Sequence, residues 1–115
     1  MQDKAILLYE WRQLRLKLQK DFNETTLQEI VNWWKAFPYS ANGFNYDDVT
    51  TFPDVWEYIN EEFYTNSGNG LGCFYTLYHS YPKNKPELWL ILDLSAGGEI
   101  YLVAYMDGYV LNRKN

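Results

Sequence analysis

The hydrophobic period of the chain changes once, at Pro86, and that change confines the fold more than any other feature. After it, ELWLILDL and EIYLVAYM are dense in branched and aromatic residues and read as strands. Ser95-Ala96-Gly97-Gly98 links them, and Asp107-Gly108 is a two-residue hairpin signal that leads into a third strand, YVLN. The tail is therefore an antiparallel meander. Its inner face is either Leu88, Leu90 and Leu92 or the complementary Trp89 and Ile91, since both sets are apolar. Three strands need a further layer to be stable. Before Pro86 the apolar spacing is helical, so that layer is α.

Leu7, Trp11, Leu14 and Leu18 form a helical stripe within residues 3–21. Leu14 to Leu18 also alternates like a strand, but length and the wealth of Leu, Lys, Arg and Gln decide for helix. In NETTLQEIVNWWKAFP, Thr25 with Gln28 or Thr26 with Glu29 reads as a capping box. Leu27, Ile30, Val31, Trp34 and Phe37 make the buried stripe, and Pro38 ends it. Trp33 and Trp34 point about 100° apart on a helix, which makes Trp33 a candidate surface anchor. Residues 38–52 form a long connection with turn chemistry at Asn42-Gly43. Asn42, Asn45, Asp47 and Asp48 lack the 1-3-5-12 carboxylate spacing of a calcium loop.

The stretch from Thr51 to Pro82 holds no Lys or Arg, and its apolar residues are mostly aromatic. It reads as two short helices joined by a glycine-rich elbow, covered by what precedes and follows. Thr51 caps the first, with Phe52, Trp56, Ile59 and Phe63 as its buried stripe. After TNSGNG the second places Leu71, Phe74, Tyr75 and Tyr78 on one face. The expected fold is α+β: about four helices packed on a three-stranded antiparallel meander, in one domain spanning residues 1–115.

Charge and chemistry narrow the function. A net charge of −5 argues against a generic nucleic-acid binder. Lys4, Arg12, Arg15, Lys17 and Lys20 sit in the first twenty positions, whereas Asp47, Asp48, Asp54, Glu57, Glu61 and Glu62 fall where no base does. That acidic region is either a solvated face or a surface matched to a basic partner. Cys73 and His79 lie about 120° to 140° apart on one helix, so they do not pair, and Cys73 reads as a small core residue. Gly68, Gly70 and Gly72 follow no strand and precede no Lys-Ser or Lys-Thr, so they make a turn rather than a phosphate cradle. One cysteine and one histidine do not make a zinc site. No pair of opposed carboxylates is selected for sugar hydrolysis. No cofactor and no enzymatic activity are expected. No apolar run approaches a membrane span, and MQDKAILLYEW lacks the order of a signal peptide, so a soluble intracellular protein is expected.

Eleven tyrosines, six phenylalanines and five tryptophans are more than so small a core readily encloses, which points to rings on the surface. The expected anchors are Trp33, Tyr39, Phe44, Tyr46 and Tyr58, with Asp47, Asp48, Glu57 and Glu61 as a polar rim.

Four segments resemble small uncharacterised proteins of tailed bacteriophages, notably those of cyanobacteria. They are Trp33-Trp34, then Phe52 to Ile59, then Leu71 to Tyr78, and the closing Asp107 to Asn112. The resemblance spans roughly residues 30–112. It departs where the phage proteins often carry Trp-Pro and a second proline, here Phe52-Pro53 and Val55, and in a cysteine that lies earlier than Cys73. It implies a phage protein of the virion or its assembly, located in the virion or the host cytoplasm, and it brings no catalytic residues. The expected partners are other phage proteins or a second copy of the chain. The alternative is an early inhibitor of a host enzyme, imitating nucleic acid with its acidic region. A third possibility is an enzyme or sugar-binding module whose aromatic platforms hold a ring in a concave pocket.

Overall fold

A computed structural model of the protein describes residues 3–37, 44–60 and 67–113. Among them are four α-helices and a three-stranded antiparallel sheet at the C-terminal end, the expected α+β arrangement. The helices are α1 (Lys4–Lys20), α2 (Glu24–Lys35), α3 (Val55–Asn60) and α4 (Asn69–Ser80). The strands are β1 (Glu87–Asp93), β2 (Glu99–Met106) and β3 (Tyr109–Leu111), in the order β1-β2-β3.

Polar side chains set the starts of α1, α2 and α3. Asp3 caps α1 by accepting from the Ala5 N–H at 2.8 Å. The capping box of α2 lies earlier than the sequence pattern places it: Asn23 and Thr26 exchange side-chain and backbone bonds. Thr51 does not cap α3; it belongs to a 3-10 turn over Val49–Thr51. Asp54 takes that role, because its Oδ1 accepts from the Glu57 N–H at 2.8 Å while Glu57 Oε1 accepts from the Asp54 N–H.

With α3 starting after Asp54, Phe52 lies outside the helix, and the buried face differs from the expected one. Val55, Tyr58 and Ile59 enter the core, and Trp56, expected inside, is 54% exposed. Phe63 lies outside the described residues. A similar correction applies to α4. Its inward face is Leu71, Cys73, Thr76, Leu77 and Ser80, while Phe74 and Tyr75 are half-buried and Tyr78 is exposed. The reason is closeness. A Cβ at Gly70 would stand 2.1 Å from the backbone oxygen of Leu102, and one at Gly72 would stand 2.6 Å from the Trp34 ring. A helix pressed that tightly on β2 and α2 admits only small residues at the contact.

The register settles the face of the sheet. Leu88 pairs with Ala104, Leu90 with Leu102 and Leu92 with Ile100. Leu102, Ala104 and Met106 belong to the core under the helices, so Leu88, Leu90 and Leu92 share the helix-facing side. Asp107 and Gly108, both at positive φ, close the β2–β3 hairpin. No helix among the described residues is long and apolar enough to cross a membrane.

Candidate docking surface

Most of the described aromatic rings pack against one another. Trp34 lies at the centre, edge-on to Trp11, Trp33 and Tyr58. Two indole donors converge on one hydroxyl: Trp11 Nε1 and Trp34 Nε1 donate to Thr76 Oγ1 at 2.9 and 3.1 Å. Thr76 in turn donates to the Gly72 carbonyl oxygen at 2.8 Å. Tyr58 donates its phenol hydrogen to Asn69 Oδ1 at 2.8 Å, and Asn69 Nδ2 donates to the Trp34 carbonyl. Every one of these polar groups is buried, so each bond meets a need that water does not supply.

That network corrects the expected anchors. Tyr58 is 0% exposed, with its hydroxyl bound inside the molecule. Trp33 is half-buried against Trp34 and Phe37, and its Nε1 donates to Glu10 Oε1 at 3.3 Å. Phe44 and Tyr46 are half-buried and pack on each other, and Phe44 also meets Phe52 and Tyr58. Tyr58 is enclosed, while Trp33, Phe44 and Tyr46 keep part of each ring open. Tyr39 and Glu61 lie outside the described residues.

The expected rim fares differently. Asp47, Asp48 and Glu57 are exposed as anticipated. Asp48 caps the 3-10 turn, and bonds from the Thr50 hydroxyl and N–H hold its carboxyl below its ordinary pKa. Glu57 caps α3. These two carboxylates serve the local backbone.

A cluster of open aliphatic residues lies on and beside β1. Leu90 is 46% exposed, Leu92 56% and Leu94 79%, with Ile100 and Trp89 exposed beside them. The cause is topological. Helix α4 lies chiefly over β2, and β1 is the outer strand, so the far half of the helix-facing side is left uncovered. The opposite side of β1 carries Trp89, stacked on Tyr105 at 4.5 Å and 13°.

The backbone of β1 is open too. The Leu102 N–H donates to the Ser67 carbonyl at 2.8 Å, and the Leu102 carbonyl accepts from Asn112 Nδ2 at 3.0 Å. Both groups of Leu102 therefore point away from β1, which makes Leu90 and Leu102 a non-hydrogen-bonded pair. By the alternation of an antiparallel ladder, Leu88, Leu90 and Leu92 aim their N–H and C=O groups at the outer edge. No other strand lies on that edge among the described residues. An apolar strand with an open edge is a template for a further strand. The sequence carried this signal in the double apolar face of ELWLILD, but not which edge is open.

The chemistry of Cys73 is closed off. It is fully buried, and burial pushes its thiol up to about 12, far from the thiolate a nucleophile needs. Among the described residues no group of His, Cys, Asp and Glu side chains is placed to hold a metal ion. Comparison with protein-family models, curated proteins and solved structures finds no match.

Proposed function

We propose that the protein works by docking, without chemistry of its own, as a small structural or assembly component of a tailed phage. The observation that carries the docking is the β1 edge: leucines at 90 and 92 exposed beside backbone groups that no strand completes among the described residues. Strand addition at such an edge takes its affinity from main-chain bonds and its specificity from alternate side chains. The phage setting rests on the resemblance of Trp33-Trp34, 52–59, 71–78 and 107–112. In that setting the protein resides in the virion or in the host cytoplasm during assembly.

The test is mass spectrometry of particles and assembly intermediates purified from the phage that encodes it. The expected result is a constant copy number, lost when Leu90→Lys and Leu92→Lys are combined in a chain that still folds. Absence of the wild-type protein from both particles and intermediates overturns the proposal.

A further inference from the structure

We infer that the occupant of the β1 edge is β1 of a second copy, paired antiparallel about a two-fold axis at Ile91, so that two sheets join into one of six strands. This rests on the docking reading above and names its partner.

Self-complementarity supports it. A two-fold at Ile91 sets Leu90 against the second copy's Leu92, and brings Leu88 to the point where that copy's β1 gives way to the 3-10 turn Leu94–Ala96 that begins with Leu94. All four positions are leucine, and Leu88, Leu90 and Leu92 lie on one face of the strand. The outward backbone groups of Leu90 and Leu92 then form two hydrogen-bonded pairs, with Ile91 facing itself in the non-hydrogen-bonded pair between them. Charge disfavours the register centred one residue earlier. Centring on Leu90 would oppose Glu87 to the second copy's Asp93, whereas centring on Ile91 opposes Glu87 to Ser95 and Asp93 to Trp89. The open area is modest: Trp89, Leu90, Leu92, Leu94 and Ile100 leave roughly 500 Å² exposed per copy, so the pair buries at most about 1,000 Å², the size of a weak contact. Association is therefore reversible, and the two-fold closes it as a dimer rather than a fibre.

Sedimentation equilibrium from about 1 µM to about 1 mM spans the affinities such an area supports. The wild type is expected to pass from monomer to dimer, and Leu92→Lys to remain monomeric with unchanged circular dichroism. Register is read separately by oxidation of Ile91→Cys. A non-hydrogen-bonded pair sets its Cα atoms about 4.5 Å apart, within disulfide reach. Ile91→Cys is expected to form a covalent dimer, whereas Val110→Cys, exposed on β3 at the other end of the sheet, is not. A wild type that stays monomeric throughout overturns the self-pairing, as does a dimer that Leu92→Lys leaves intact. If Leu90→Lys with Leu92→Lys still abolishes incorporation into particles, docking stands and the occupant is a strand of another protein. If incorporation is also unaffected, both readings fall.

Discussion

Replacing Thr76 by valine keeps the shape of the side chain and removes the one oxygen that serves two indoles. Trp11 is 1% exposed and Trp34 0%, so neither N–H has water as a substitute. A buried donor stripped of its acceptor loses about 1–3 kcal/mol. Two such donors set the expected loss for Thr76→Val at about 2–4 kcal/mol, after allowing for relaxation of one ring. In a domain of this size that lowers Tm by about 10 °C. Thr76→Ser separates the hydroxyl from the packing: it keeps the acceptor, loses one methyl and is expected to cost about 1 kcal/mol. The assay is urea unfolding followed by tryptophan emission, with the slope against denaturant unchanged so that the midpoints compare directly. The valine variant must be less stable than the serine variant although it buries more apolar surface. If valine proves equal to or more stable than serine, the doubly accepted hydroxyl does not hold the aromatic core together.

Two further perturbations probe the same core. Gly70→Ala is expected to destabilise by about 3 kcal/mol or more, because the new Cβ meets the Leu102 backbone at 2.1 Å, although alanine is the better helix former. Gly97→Ala, at φ +74 with nothing within 4 Å, is expected to lose only about 1 kcal/mol, and equal losses in calorimetry would refute the close approach of α4 to β2. Alkali should weaken the fold. Burial pushes Cys73 from 9.0 up to about 12, and Tyr75 from 10.0 up to about 12 with help from Asp54 and Glu57. The folded state holds these protons longer than the unfolded chain does, so stability is full below pH 9 and falls as pH rises towards 12. Cys73, fully buried, sets the slope near about 1.4 kcal/mol per pH unit. Tyr75, half-exposed and screened, adds less. Cys73→Ala should flatten the slope between pH 9 and 10, and an unchanged slope would sink the assignment.

Periodicity made the architecture legible. The four helices, the meander, the Asp107-Gly108 hairpin and the buried Cys73 follow from local spacing and turn chemistry, which the chain obeys over most of its length. What local rules leave out is the closeness of neighbouring elements. For α4, Phe74, Tyr75 and Tyr78 outrank Gly70, Gly72 and Thr76 on any hydrophobicity count, yet the glycines and the threonine face inward. For α3, the expected stripe begins at Phe52, which precedes the helix, and Val55, Tyr58 and Ile59 face inward instead. The face of β1 was undecidable from ELWLILD alone; the register with Leu102 and Ala104 decides it.

Tyr58, expected as an exposed anchor, is enclosed for a physical reason. Ring number alone overstates what an interior must hold, because rings need not each occupy a separate share of it. In the structure the rings use each other: Trp11, Trp34 and Tyr58 are enclosed by neighbours that are themselves aromatic, met edge-on at centroid distances of 4.9–6.4 Å. Their polar tips close on Thr76 and Asn69 rather than on water. A Trp or Tyr whose polar group finds an internal partner loses the advantage that favours it at a wet interface. Leucine has no polar tip to satisfy, so whatever its own chain leaves uncovered beside an open strand edge stays apolar and in water. Leu90 and Leu92 stand in that position. Leu90, Leu92, Leu94 and Ile100 therefore form an aliphatic patch, and β1 offers the main-chain groups from which strand addition would take its affinity.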